Sequence, residues 1–586
     1  MNINLDDIRE LLLGVEKPSR YIGGEFGEPT FREGALNFCL CFPDLYEVGM
    51  SNLGIKIVAE SLIARGHNAD FCFTPFKDFG EGIKEAGIPL YSLGMKKPLK
   101  EFDILGFSMQ FELSYTNLLY MLDLAGIPLL REDREGGNYP LIAIGGPCAV
   151  NPEPLADFVD IVFIGDGESV DADVADIYLK HGGATKQFYK EISALDGVYL
   201  PAFNNGKRVK KALYKDLDGG IFPKQFAVPN CESVHDRAIV EVMRGCYRGC
   251  RFCQAGFIYR PVRKRSINTL TEQACSLIAS TGYDEVSLNS LSTGDYPDLR
   301  ELIRSLKGAL PEGVTLALPS LRVDSFDSEF AQEARRVSLT FAPEAGSPRL
   351  RDVINKDITE DEIINACKSA FDAGYSAVKL YFMLGLPTET DEDLQAIGRL
   401  CTLIRECYKS KKRSKPLRIS LSCSTFIPKP FTPFQWEKQA TQEEVKAKQQ
   451  VLIDALKGKG VILSWSDTFT ATLEALLARG DRRLGKVILS AYSNGCKFDC
   501  WDKELNREGW QKAFIEAGIS PDEYTREWRE DEILPWDFID IGVSKSFLLS
   551  ERHRAYSGKV TGNCLTSCKG CGLQKNCESA KRVKKV

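Results

Sequence analysis

Val242-Met-Arg-Gly-Cys246-Tyr-Arg-Gly-Cys250-Arg-Phe-Cys253-Gln-Ala-Gly256 continues the apolar run that begins at Ala238. A strand that feeds a C-x3-C-x2-C loop can wrap three thiolates around one iron–sulfur cubane, giving three of its four irons a protein ligand. Gly245, Gly249 and Gly256 give the backbone room to pass close to such a cluster. The alternatives are a zinc site completed by a distant residue, or chance spacing. A structural zinc site usually gathers four near ligands, often with histidine. The chain has only 4 His (His67, His181, His235 and His553), and none of them lies in a ligand pair.

Outward from this loop, strands and helices alternate. Six candidate strands run from Ala238 to Arg244, Glu285 to Ser290, Thr315 to Val323, Ser338 to Ala345, Ala377 to Gly385 and Arg418 to Ile427. Thr359 and Glu362 stand in capping-box spacing ahead of a helix, and Thr390 precedes another. Six βα units suit a partial TIM-type barrel, (βα)6, better than an open sheet. Upstream, the apolar runs Leu36 to Phe42, Asp103 to Met109, Leu141 to Ile144 and Ile161 to Ile164 alternate with helices over Ser51 to Gly66 and Tyr115 to Gly126. Strands that are apolar on both faces and end in glycine turns indicate a doubly wound, Rossmann-like parallel sheet. The α/β chain thus divides into a leader at 1–34, the Rossmann-like domain at 35–200, a linker at 201–235, the barrel at 236–438, and a small, mostly helical, cysteine-containing region at 439–586. A total of 586 residues exceeds what one hydrophobic core holds.

With the triad in place, the chain resembles the radical S-adenosylmethionine (SAM) superfamily. The resemblance continues along the strands: Leu291-Ser-Thr-Gly294-Asp295 after the second, Phe341-Ala-Pro-Glu344 on the fourth, Gly385-Leu-Pro-Thr-Glu-Thr390 after the fifth, and Phe426-Ile-Pro-Lys-Pro-Phe-Thr-Pro-Phe434 after the sixth. It implies a [4Fe–4S] cluster on Cys246, Cys250 and Cys253, with SAM on the fourth iron. It further implies Gly294 and Asp295 at the methionyl amine, Glu344 at the ribose or methionine end, and Gly385 beside the adenine. The usual Gly-Gly-Glu reads Thr-Gly-Asp here. A one-electron donor such as flavodoxin or ferredoxin belongs to such chemistry.

The amino-terminal block is similar to the B12-binding-type domain fused ahead of many such enzymes, through Asp103-Ile-Leu-Gly-Phe-Ser108, Gly145-Gly146-Pro147 and Gly165-Asp-Gly-Glu168. That likeness implies cobalamin, with Ser108, Gly145 and Gly146 lining its crevice. The D-x-H-x-x-G motif that supplies an axial histidine is absent. With Val15 to Glu25 and Ala478-Arg-Gly-Asp-Arg-Arg-Leu484, almost the whole chain looks like one family of B12-binding-domain-type radical SAM proteins.

The chain has 19 Cys and no secretory signal, so clustered thiols point to metal rather than disulfides. Cys564, Cys568, Cys571 and Cys577 form a complete four-thiolate set, for a second iron–sulfur cluster or for zinc. Scattered cysteines such as Cys39, Cys72, Cys275, Cys367 and Cys401 read as small buried hydrophobes. A net charge of −6 gives no global attraction to nucleic acid, so an RNA or ribosomal substrate would need a local basic patch. The candidates are Lys409 to Lys415 and Lys581 to Lys585, whereas Arg260, Arg263, Lys264 and Arg265 follow the triad closely and could instead face the SAM carboxylate or a substrate anion. No apolar run approaches the roughly 18 to 20 residues of a membrane span, and a cytoplasmic enzyme is expected. Three functions compete: SAM-radical methyl or related group transfer, cobalamin-free methylthiotransferase-like modification of tRNA or a ribosomal component, and non-catalytic iron–sulfur binding.

Overall fold

The computed structural model describes residues 2–203, 206–318, 323, 339–413 and 415–577. In the amino-terminal half, strands β1 (Asn37–Phe42), β2 (Asn68–Phe73), β3 (Ile104–Ser108), β4 (Leu141–Gly145), β5 (Ile161–Phe163) and β6 (Val198–Tyr199) form one sheet in the order β2-β1-β3-β4-β5-β6. The first five are parallel, and β6 pairs antiparallel at the edge. Their apolar residues are buried on both faces. Helices Leu53–Ala64 and Gly167–Lys180 pack on one side, and Lys77–Glu85 and Tyr115–Leu124 on the other. The winding reverses between β1 and β3, which opens a crevice at their carboxyl ends. β2 was not foreseen, because Asn68-Ala-Asp-Phe-Cys-Phe carries a charge. That charge is internal: the buried Asp70 accepts N–H bonds from Phe71 (2.7 Å), Gly94 (2.9 Å) and Met95 (2.7 Å).

After β7 (Val209–Lys210), the chain enters the second α/β unit at β8 (Ala238–Glu241). A short hairpin pairs β9 (Met243–Arg244) with β10 (Arg263–Lys264). β11 (Glu285–Asn289) and β12 (Thr315–Ala317) join β8 in a parallel sheet ordered β12-β11-β8. A second parallel sheet holds β13 (Leu339–Glu344), β14 (Ala377–Leu384), β15 (Arg418–Thr425) and β16 (Val461–Trp465) in sequence order. Five of the six expected barrel strands have the expected core. The third is seen as Thr315–Ala317, and its continuation through 319–322 lies outside the described residues. β16 corrects the expectation of a helical segment after residue 439. Gly458 and Gly460 both take positive φ and turn the chain out of helix Gln442–Leu456. The β-branched and aromatic Val461-Ile-Leu-Ser-Trp465 then adds a seventh parallel strand. Both expected helix starts carry complete capping boxes, Thr359 with Glu362 and Thr390 with Asp393.

The carboxy-terminal helices Leu484–Ser493 and Arg507–Ala517 return to the first sheet, where Trp510, Trp528 and Trp536 share a core with Phe79 and Tyr115. β17 (Ile539–Asp540) pairs with β7, tying the linker to this region. Cys39, Cys72, Cys367 and Cys401 are buried, while Cys275 is partly exposed. No helix among the described residues is long and apolar enough to cross a membrane.

Asp499 lies 1% exposed at the contact between the two ends of the chain, accepting a hydrogen bond from Thr116 Oγ1 (2.7 Å). Burial pushes its pKa up to about 6 from 3.8, against the hydrogen bond from Thr116. A carboxyl raised on folding binds its proton more tightly in the folded state. Its contribution is therefore present below the unfolded value and lost as pH rises through about 6. Asp499→Asn is expected to remove a decline in unfolding free energy of about 3 kcal/mol between about pH 4 and pH 6. Urea unfolding of both proteins across that range measures it, and parallel pH profiles would count against it.

Candidate active site

β8 and β9 deliver the chain to Gly245, whose φ of 92° an L side chain rarely adopts. A Cβ there would also lie 2.8 Å from the Tyr259 carbonyl oxygen. Only glycine lets the strand turn here into the loop that carries Cys246, Cys250 and Cys253. All three cysteines are free and partly exposed, and the Arg248 N–H donates to Cys246 Sγ (3.4 Å). Burial, reinforced by Cys250, pushes the Cys246 thiol up to about 12 and the Cys253 thiol up to about 11. Such thiols give up their protons to a metal rather than to water. Among the described residues, no three Cys, His, Asp or Glu side chains are gathered to hold one metal ion. Three thiolates on one short loop are a donor set that fits a cubane, which takes each thiolate on a separate iron.

The other candidate contacts lie at the carboxyl ends of their strands, the same end of the barrel as the loop. Gly294 and Asp295 sit in the 3-10 turn after β11. Asp295 is ion-paired to Arg248 of the cysteine loop (Nε–Oδ2 2.9 Å, Nη2–Oδ1 2.5 Å) and accepts a bond from Ser292 Oγ (2.6 Å). Its carboxylate therefore positions the loop. Glu344 ends β13 at φ 66° and pairs with Lys356 Nζ (3.1 Å), and both are close enough to act electrostatically on Cys253. The Gly385 N–H donates to Glu389 Oε2 (2.8 Å), and Glu389 is paired with Lys448 (3.0 Å). Sequence reasoning missed Arg248, Lys356 and Asn355. Asn355 and Asp357 share φ 53°, a backbone state that Asn and Asp tolerate, and their clustering after a helix was the available signal.

A cavity of about 380 Å³ separates the crevice of the first sheet from β8, β9 and the cysteine loop. Ser108, Gly145 and Gly146 line it from one side, Met243, Gly245 and Tyr259 from the other. No histidine is among the described residues lining it. Its floor is an ion network. Arg244 reaches Asp166 Oδ1 (2.9 Å), Glu168 Oε1 (2.7 Å) and Glu241 Oε1 (2.9 Å), and Arg263 also pairs with Asp166. Burial raises the Asp166 pKa, but Arg244 and Arg263 outweigh it and hold the group at about 2. Asp171, also on the lining, has no such partner among the described residues. Burial pushes its carboxyl well above the usual range, and Oδ1 makes no hydrogen bond.

The carboxy-terminal segment closes over the cysteine loop. The Cys564 N–H donates to the Tyr247 carbonyl (2.9 Å). Asn355 Nδ2 bridges the carbonyls of Gly249 and Thr561 (3.0 Å each), and the Thr561 N–H returns a bond to Asn355 Oδ1 (2.8 Å). Buried Arg251 donates to the Lys559 carbonyl (2.7 Å) and to Glu551 (3.2 Å). Cys564 is thus brought beside the first cysteine loop, and Cys564, Cys568, Cys571 and Cys577 are all partly exposed. The basic stretch 581–585 lies outside the described residues. Arg260, Arg263 and Arg265 are committed to backbone and carboxylate partners inside the protein rather than to a surface patch.

Residues 54–201 match the family model for the N-terminal part of radical SAM proteins, and residues 240–401 match that of the radical SAM superfamily. An uncharacterized protein of Methanocaldococcus jannaschii is 30% identical over 463 residues, covering 77% of this chain and 90% of that one. The chain belongs to the radical SAM superfamily. Membership implies a [4Fe–4S] cluster and SAM. This radical SAM protein is also 28% identical to a tRNA-2-methylthio-N(6)-dimethylallyladenosine synthase of Hydrogenobaculum, over 44% of this chain and 59% of that enzyme. Among solved structures it is similar to the cobalamin-dependent S-adenosylmethionine radical enzyme OxsB, at 13% identity and a TM-score of 0.49. That match covers 94% of this chain and 84% of that one.

Proposed function

We propose that this protein holds a [4Fe–4S] cluster on Cys246, Cys250 and Cys253, binds SAM at the open iron, and uses it for methyl or related group transfer with a corrinoid of the cobalamin class in the inter-domain cavity. The observation that carries the reading is the joint placement of three free thiols and a two-sided crevice at the carboxyl ends of both parallel sheets. The cluster, when bound, supplies one electron to the SAM sulfonium, which breaks a carbon–sulfur bond and leaves methionine and a 5′-deoxyadenosyl radical. Arg248, fixed by Asp295, sets the shape of the loop. Lys356, paired with Glu344, brings positive charge towards Cys253. Gly294 and Asp295 face the methionyl amine, Glu344 the ribose or methionine end, and Gly385 the adenine. The reaction draws its electron from a donor of the flavodoxin or ferredoxin class.

Ser108, Gly145 and Gly146 offer a wall that would suit the planar ring of a corrinoid. Asp171, kept protonated by burial, offers its O–H to one of the amide carbonyls that rim a corrinoid. Asp171→Leu is expected to weaken cobalamin binding about tenfold, the worth of one hydrogen bond, while Asp171→Asn largely retains it. Absorbance titration reads this directly, and equal affinities for the leucine variant and wild type would remove Asp171 from the site.

The second reading, cobalamin-free methylthiolation of tRNA or a ribosomal component, draws on the likeness to the tRNA methylthio synthase and on the second cysteine set. Anaerobic protein given dithionite and SAM should form 5′-deoxyadenosine under both readings. Protein made with cobalamin present and then desalted separates them: corrinoid absorbance supports the first, and colour from iron alone supports the second.

A further inference from the structure

We propose that Cys564, Cys568, Cys571 and Cys577 hold a second iron–sulfur cluster that passes electrons to the cluster on Cys246, Cys250 and Cys253. The proposal rests on the assignment of that first cluster. Four cysteines within one short segment are a complete ligand set, so this site would be closed to SAM and suited to electron transfer.

The surroundings point to a bound anion. Arg260 is buried, with Nε on the Gly256 carbonyl (2.8 Å) and Nη2 on the Arg248 carbonyl (3.1 Å), and its charge is sandwiched by the rings of Phe257 and Phe547. Nη1 is buried with no hydrogen-bond partner. Among the described residues no carboxylate is ion-paired to it, and the group acting on Cys564 most strongly after burial is Arg260 itself. Beside it, buried Lys211 donates to the carbonyls of Ile258 (2.7 Å) and Arg260, with Asp166 and Asp540 as its stronger charge partners and Cys571 after them. A buried guanidinium with an orphan N–H and no carboxylate partner is costly unless a negative group completes the site. A cluster carrying four thiolates is such a group.

Zinc would also be anionic when bound by four thiolates, and the iron and zinc contents measured below separate the two. Cys564 has Cys571, Cys577 and Cys568 as charge neighbours.

The connection to the first set is short. Cys246 is bonded to Tyr247, and the Tyr247 carbonyl accepts the Cys564 N–H at 2.9 Å, so one hydrogen bond joins a ligand-bearing loop to a ligand residue of the other set. The electron count closes simply. A one-electron donor protein of the flavodoxin class is oxidised by one electron at the carboxy-terminal site. The same electron moves to the first cluster and is consumed when the carbon–sulfur bond of SAM breaks to methionine and the radical. No atom is transferred between the two sites.

The full chain, reconstituted anaerobically, is expected to carry about eight irons and about eight sulfides, and no stoichiometric zinc. Cys568→Ser/Cys571→Ser should keep about four irons and the SAM-dependent change in the electron paramagnetic resonance signal. Its reduction by flavodoxin should slow severalfold, while reduction by dithionite should not. The triple variant Cys246→Ala/Cys250→Ala/Cys253→Ala should retain about four irons that do not respond to SAM, which reports on the second site even if the carboxy-terminal variant fails to fold. A wild-type content of about four irons, with or without one zinc, would overturn the second cluster. Unchanged flavodoxin reduction in the Ser variant would overturn the relay. Loss of SAM cleavage with eight irons present would instead count against the proposed function.

Discussion

Cys250→Ala should fold, lose the iron of the Cys246 loop, and make no detectable 5′-deoxyadenosine from SAM. The side chain is partly exposed and belongs to none of the apolar cores, so the cost to the fold is small. The loss to the metal is large because the loop offers only three thiolates. Cys250 stands between the other two in sequence and is the first charge neighbour of each. With it gone, two ligands cannot fix a cubane against loss to solvent. Iron should fall by about four per chain, and the visible absorbance of that cluster with it. Iron and sulfide analysis beside chromatography of the nucleoside product measures both. Full iron content with unchanged turnover would mean that other residues hold the cluster.

Arg244→Met is expected to destabilise the protein by about 3 to 5 kcal/mol, the usual result of stripping the cation from buried carboxylates. Arg244 is the hub for Asp166, Glu168 and Glu241, which come from two α/β units. Methionine fills similar space but leaves Glu168 without its only ion-pair partner among the described residues. The pH dependence should shift as well. In the native protein Asp166 is held at about 2, so its stabilisation is present above the ordinary value near 3.8 and is lost as pH falls towards 2. Burial already raises the Glu168 carboxyl in the native protein against the pull of Arg244, and loss of Arg244 should raise it further. That contribution is present at low pH and lost as pH rises, so the variant should be closer to wild type near pH 5 than at pH 8. Adding Glu168→Gln should restore part of the stability. Urea unfolding at the two pH values decides it, and a uniform deficit would show that the network is not what Arg244 supports.

The elements that the sequence disclosed are those whose signal is local. β1, β3, β4 and β5 are apolar runs, the last two leading into glycine turns, and the two capping boxes are three-residue spacings. β2 escaped because Asp70 looks like a surface residue until three backbone N–H groups from two segments converge on it. β16 escaped because an edge strand after a long helix blends into a helical block, although Gly458 and Gly460 marked the turn. The cysteines were legible as spacing. Their supports were not: Asp295 and Arg248 are 47 residues apart, and Asn355 meets Thr561 across 206. Such pairings arise only when strand ends are brought to one face, and no periodicity announces them. The same holds for the cavity, whose two walls belong to separate sheets.

The closure of the carboxy-terminal segment over the cysteine loop has a consequence for how the protein is made. Arg251 and Glu551 are separated by 300 positions, so the ribosome finishes the loop long before it makes the strap that covers it. During that interval the three thiols are open to whatever delivers iron, and docking of the strap then narrows the approach. The order of synthesis thus exposes the loop before its cover exists, and residues made late are the ones that fasten it.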